Sequence, residues 1–337
     1  MRSSTVPARI ITALIGVVVT PIALGLLSTG GWGWYAAVGS FDGFDLSAVA
    51  GPTALQAIAI ALLVGLVLTG LWSAAGLLTA GILSIVPIAF SLFPSLLMSI
   101  YQLRLPLPRE WIDGLAYGVP LAILPALGGM GLALWSARHR PARSGTLHAI
   151  GFVASPLLLL GGGWMLALSA ARAFQALQRF QLGVSVDAAA YAIGGAVLIV
   201  AGLFFTKWSP FALLLPALAL IVITPLMIMR ASAFFGFVFA LDRDTATGLT
   251  VLVTMGAAVA AAMLYIVFTI VMVRTRSRAT VQHPAMVFHG ADPSAPAYPM
   301  AASSDASYPG AAGSPTGSGY PQIPGDAASP GSDPHRP

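Results

Sequence analysis

The chain reads as an all-α integral membrane protein: eight transmembrane helices arranged as two tandem four-helix repeats in parallel orientation, followed by a disordered C-terminal tail. Three observations carry this. Charged residues make up 8% of 337 residues and hydrophobic ones 57%, with mean hydropathy +0.87. An ordinary soluble domain carries roughly 25% charge, and a chain with so little cannot clothe a water-facing surface. Charge-free stretches recur at the length of a bilayer span. Paired motifs recur at an offset near 135 residues.

The spans fall between the charges. Residues 1–9 form a short leading segment with Arg2 and Arg9. The first span is expected near Ile10–Leu27, whose 18 apolar residues exceed a signal-peptide core and lack a small-residue cleavage site. Leu46–Leu103 is free of charge and must hold two spans, near Thr53–Leu71 and Gly76–Met98. A fourth is expected at Gly114–Ala137, and these four make the first membrane repeat, residues 10–140. The second repeat, 144–278, holds spans near Leu147–Leu168, Ala188–Thr206, Trp208–Met229 and Leu249–Val273. Each must be helical, because lipid offers no partner to a free backbone N–H or C=O.

Eight spans place both termini on one side. If that side is the cytoplasm, the inner segments hold Arg2, Arg9, Arg138, Arg140, Arg143, Lys207, Arg274, Arg276 and Arg278. The outer loops then hold six cations and all seven acids that precede the tail: Asp42, Asp45, Glu110, Asp113, Asp187, Asp242 and Asp244. The Lys/Arg bias sets orientation, so both termini are expected in the cytoplasm of a plasma-membrane protein. Fifteen arginines against one lysine in an Ala/Gly/Pro-rich chain suit a GC-rich bacterial genome.

The repeat rests on four markers in chain order. Ile15-Gly16…Thr20-Pro21 recurs as Ile150-Gly151…Ser155-Pro156, and Phe44-x-Leu46 as Phe180-x-Leu182. Trp72-Ser73 recurs as Trp208-Ser209, and Arg109-Glu110 with Gly114 as Arg243-Asp244 with Gly248. Four spans is an even number, so the halves enter the membrane in the same direction, as in parallel-repeat transporters.

Composition and motifs exclude several chemistries. There is no cysteine, Glu110 is the sole glutamate and Lys207 the sole lysine. Thiolate metal sites, HExxH zinc sites and GxxxxGK phosphate loops are therefore ruled out, and no GxSxG motif appears. No catalytic residue, metal ligand or cofactor is expected, nor a nucleic-acid partner, since the basic balance is explained by topology. The spans lack a carboxylate at depth, which argues against ion-coupled pumping.

The candidate functional residues are few. Pro21 and Pro156 interrupt matched spans, a feature of transporter sites and equally of plain structural kinks. Arg109, Glu110, Arg243 and Asp244 form matched outer-face pairs that read as anchors beyond the span. Outward acids such as Asp42 and Asp45 would serve a lipid-linked transferase only with a companion motif, and none is present. Trp32, Trp34, Tyr35 and a Phe234–Phe239 cluster read as interfacial belts. Glycine runs in spans four, five and eight read as packing surfaces, within the bundle or in a homo-oligomer.

The tail, residues 279–337, has no apolar period; from 280 on, Pro, Ala, Ser and Gly make 37 of its 58 residues. Tyr298, Tyr308 and Tyr320 each precede a proline, a pattern that reads as a multivalent docking array or as inert low complexity. The leading expectation is a non-enzymatic membrane adaptor or envelope-assembly component that contacts lipid and recruits a protein through its tail. The alternative is an uncoupled carrier of a lipid or small apolar solute between the repeats. A membrane-embedded glycosyl or lipid transferase stands third.

Overall fold

The structure is a computed structural model that describes residues 6–39, 46–103, 106–116, 118–139, 145–180, 183–229, 240 and 242–281. The tail with Tyr298, Tyr308 and Tyr320 lies outside these residues, as do Asp42, Asp45 and the Phe234–Phe239 cluster. Every regular element among the described residues is helical. Seven helical stretches are long and apolar enough to cross a membrane: Val6–Ala37, Val49–Thr69, Ala75–Leu92, Val119–Arg138, Gly145–Ala176, Val186–Phe205 and Ala257–Ser277. The protein is therefore built as a multi-pass membrane protein.

Four expected spans form single helices. They are α1 (Val6–Gly39), α2 (Leu46–Thr69), α8 (Gly145–Gln178) and α9 (Val186–Phe205). The other four are interrupted, each for a local reason. Span three divides into α3 (Ala75–Ile82), α4 (Ile85–Leu92) and α5 (Pro94–Gln102). Phe93 precedes Pro94, and its φ −123°, ψ 80° is the extended geometry that proline imposes on its predecessor. Span four opens with the separate α6 (Arg109–Ala116), and α7 (Val119–His139) begins only after Gly118 at φ +75°. The segment expected as span seven is not among the seven: it starts as a short 3₁₀ turn at Pro210–Leu213 and continues as α10 (Leu214–Met229), whose 16 residues rise only about 24 Å, so eight crossings are not established. Span eight breaks at Gly256, φ +77°, into α11 (Arg243–Thr254) and α12 (Ala257–Val281). A left-handed residue ends a helix, and glycine adopts that conformation without a Cβ clash.

The two longest hairpins, α1–α2 and α8–α9, pack tightly along their lengths. Between them α2, α7, α9 and α12 come together. One continuous apolar core joins these helices through Leu66, Leu127, Leu134, Leu203, Leu264 and Phe268, all fully buried. Glycines bring the backbones close: Gly81 meets Gly128 between α3 and α7, and Gly129 meets Leu203 on α9. The outer faces of α1 and α8 expose Ile10, Leu14, Val18, Val153, Leu157 and Leu160. Aliphatic side chains on the outside of a bundle with a filled interior are a lipid-facing surface.

Helix ends sort onto two faces. At one end the Arg138 guanidinium, closing α7, donates to the Gly70 carbonyl beyond α2. Arg276 of α12 donates to the Thr206 and Trp208 carbonyls at 3.2 and 3.4 Å, and also to Lys207, beyond α9. Towards the other end, Gln56 in the middle of α2 donates to the carbonyl of Thr254, the last residue of α11, 3.4 Å. Trp72 and Trp208 thus share one face, and α6 and α11 lie at the opposite one.

Candidate functional site

The two prolines inside long helices come first. Pro21 lies within α1 and Pro156 within α8. Pro21 is exposed and Pro156 half-buried. The residue before each proline is more telling. Thr20 and Ser155 are fully buried, and neither hydroxyl has a hydrogen-bond partner. Many other helix hydroxyls in this protein bond a carbonyl of their own helix one turn back, and Ser169 of α8 bonds Ala188 of α9. Ser28 reaches Leu24 at 2.8 Å, Thr53 reaches Val49 at 2.7 Å and Thr269 reaches Tyr265 at 2.8 Å. Among the described residues the two buried side-chain polar atoms left unpaired therefore each precede a proline inside a long helix. The sequence flags the prolines and gives no sign that their neighbours matter.

The acid-bearing end is the second candidate. Arg109 and Glu110 open α6, with Arg109 exposed and Glu110 half-buried. Trp111, next in line, packs on Gly25 of α1, and Gly114 abuts Ser28. Arg243 and Asp244 open α11, where Gly248 abuts Ala167 of α8. The matched pairs thus sit on short helices pressed against the two longest ones. Asp244 accepts from the Gln175 amide, 2.8 Å. The ion pair at this end is a different one: Arg172 meets Asp187 at 3.1 Å and lies 4.9 Å from the Tyr191 ring centre. Arg172 and Asp187 flank the turn between spans five and six, and that placement was the available signal for it. Tyr101 donates to the Asp113 carboxylate.

Asp242 is the N-cap of α11. Its carboxylate accepts from the Thr245 N–H at 2.9 Å and the Asp244 N–H at 3.4 Å, and from the Thr245 hydroxyl. These bonds, the Thr245 hydroxyl foremost, hold the Asp242 carboxyl below its ordinary range. Asp113, Asp187, Asp242 and Asp244 are thus each engaged by a neighbouring donor. Among the described residues no three His, Asp or Glu side chains gather as a metal site would require. A nearby cleft between α4, α5, α6 and α8 is lined by Pro87, Phe90, Pro94, Leu97, Leu115 and Ala170. Its one hydroxyl, Ser91, is committed to the Pro87 carbonyl at 3.0 Å. Among the described residues the arrangement offers apolar contact and fixed charge.

Compared with protein-family models, curated proteins and solved structures, the chain matches none.

Proposed function

We propose that this is a non-enzymatic membrane adaptor or envelope-assembly component, a duplicated eight-span bundle of the bacterial plasma membrane whose cytoplasmic tail recruits a protein partner. The observation that carries the reading is the filled joint between the halves. A carrier needs a cavity there with polar groups to hold cargo. Here fully buried Leu66, Leu127, Leu134, Leu203, Leu264 and Phe268 occupy it. A solid core suits a body that holds position in the bilayer while an appended segment does the binding.

Further matches support the duplication. Arg138 caps the end of span two and Arg276 the end of span six, an offset of 138. Gly118 and Gly256, also 138 apart, both take positive φ at the head of the last span of their half. Thr20 and Ser155 share their unpartnered hydroxyls at an offset of 135. The change from 134 at Arg109/Arg243 to 138 is accounted for by the four extra residues of α11 over α6.

The test sets recruitment against transport. Full-length protein and a chain ending at Val281 are purified in mild detergent, and each is reconstituted in vesicles with a fluorescent lipid. The expectation is a protein partner that copurifies with the full chain, is lost on truncation and is lost with Tyr298, Tyr308 and Tyr320 all changed to Ala. Lipid flux should stay at the protein-free rate. Flux well above that rate, with copurification indifferent to the tail, would replace the adaptor by the carrier.

A further inference from the structure

The two longest helices carry the same unsatisfied pair. Pro21 in α1 and Pro156 in α8 have no N–H, so the carbonyls of Val17 and Phe152, one turn earlier, lose the donor that a helix would give them. Thr20 and Ser155 stand one residue before those prolines, fully buried, with their hydroxyls unpaired. A helix hydroxyl reaches the carbonyl three or four residues back. Three back from Thr20 is Val17, and three back from Ser155 is Phe152. This protein uses that reach elsewhere: Thr69 bonds the Leu66 carbonyl at 2.7 Å and Thr254 the Val251 carbonyl at 3.1 Å. Each helix thus sets an unused donor beside a carbonyl that proline has deprived of its own, and the bond between them is not made.

The contacts on either side make this point a joint. One turn before Thr20, α1 touches α3, where a Cβ on Gly16 would run into the Gly76 carbonyl oxygen. One turn before Ser155, α8 touches the end of α9, where a Cβ on Gly151 would stand 3.0 Å from the Phe205 carbonyl oxygen. Both helices are therefore clamped ahead of their proline. Beyond it, α1 carries α6 on Gly25 and Ser28, and α8 carries α11 on Ala167. The missing N–H removes the backbone bond that would stiffen the turn between the clamp and the load.

We propose that Thr20-Pro21 and Ser155-Pro156 are two-position hinges. In one position, the one described above, each hydroxyl is unpaired. In the other, the Thr20 hydroxyl donates to the Val17 carbonyl and the Ser155 hydroxyl to the Phe152 carbonyl, and back-bonding of this kind bends a helix. The bend swings the far part of α1 with α6, and the far part of α8 with α11, against the clamped parts. The hinges do not rest on the adaptor reading, because helix movement and partner recruitment are measured separately.

The experiment uses the full chain in lipid nanodiscs, with spin labels on introduced cysteines, since the chain has none of its own. Ile10→Cys with Arg109→Cys spans the first hinge, and Thr146→Cys with Arg243→Cys the second; all four positions are exposed. Double electron–electron resonance should give two distances for each pair. Thr20→Val should shrink one population of the first pair about fivefold, the shift expected from one ordinary hydrogen bond, and leave the second pair alone. Ser155→Ala should do the reverse. Thr20→Ser keeps the hydroxyl and should keep both populations. Pro21→Ala, which returns an N–H to the Val17 carbonyl, should act like Thr20→Val. A single distance in the unsubstituted background would overturn the proposal, as would two populations indifferent to both hydroxyl substitutions. The same loss in Thr20→Ser as in Thr20→Val would trace the effect to packing and overturn it as well. Ser155→Ala removes a single oxygen atom, so the second hinge decides the matter if Thr20→Val fails to fold.

Discussion

Thr20 and Ser155 each carry a hydroxyl into the protein interior and bond it to nothing within reach. An unpaired buried hydroxyl costs about 1–3 kcal/mol, whereas an apolar group of the same shape costs nothing to desolvate. Replacing the hydroxyl should therefore stabilise the bundle. Thr20→Val, which keeps the shape, and Ser155→Ala should each raise the unfolding temperature in detergent, by roughly 1 kcal/mol of stability. A lowered temperature in both would mean that the hydroxyls have partners in the native membrane. The prolines beside them were plain in the sequence because Ile-Gly…Thr-Pro and Ile-Gly…Ser-Pro recur 135 residues apart. The hydroxyls were not, because Thr and Ser ordinarily satisfy themselves on their own helix, and only packing reveals the two that do not.

At the scale of the element, α11 shows what a local signal can do. Asp242, with Thr245 three residues on, is an N-cap that closes two backbone donors. Its folded pKa is lowered, so the cap stabilises α11 above the unfolded carboxylate range. That contribution is lost as pH falls through the depressed folded value. Asp242→Ala should cost about 1 kcal/mol of helix stability at neutral pH and far less in acid. Hydrogen exchange across Arg243–Thr254 at neutral pH and in acid measures this; protection equally reduced at both would remove the carboxylate from the account. Helix placement was legible wherever charge-free runs were bounded by Arg or Asp, as for α1, α2, α8 and α9. The breaks at Gly118 and Gly256 were not. With 36 glycines in the chain, a single one carries no sign of whether it packs or turns. Gly256 does both, since a Cβ there would meet the Gln56 amide at 2.8 Å.

For the whole molecule, composition alone indicated a membrane protein, and seven long apolar helices agree with it. The candidate site was less legible. Glu110 and Asp244 were placed together by motif, yet Asp244 finds Gln175, 69 residues away, through the approach of α11 to α8. No spacing rule encodes such a contact. Orientation is open to direct measurement because the chain has no cysteine. Gln102, closing α5, and Thr146, opening α8, are exposed at opposite ends of the bundle. In intact cells Gln102→Cys should react with an impermeant maleimide and Thr146→Cys only after lysis. The reverse pattern would invert the molecule and move the Thr206–Trp208 turn to the outer leaflet.

The two 34-residue helices are each about 51 Å long, some 20 Å more than a typical hydrocarbon layer. At the end bearing α6 and α11, Trp111 covers Gly25, Gly114 seats against Ser28, and Gly248 seats against Ala167. Each long helix thus wears a collar of protein where it outgrows the bilayer. The other end, among the described residues, bears Trp72, Trp208, Arg138 and Arg276. A body anchored at one waterline and sheathed at the other registers on a single leaflet. When the membrane thickens or thins, the collar submerges or emerges, and the pinned face stays where it is.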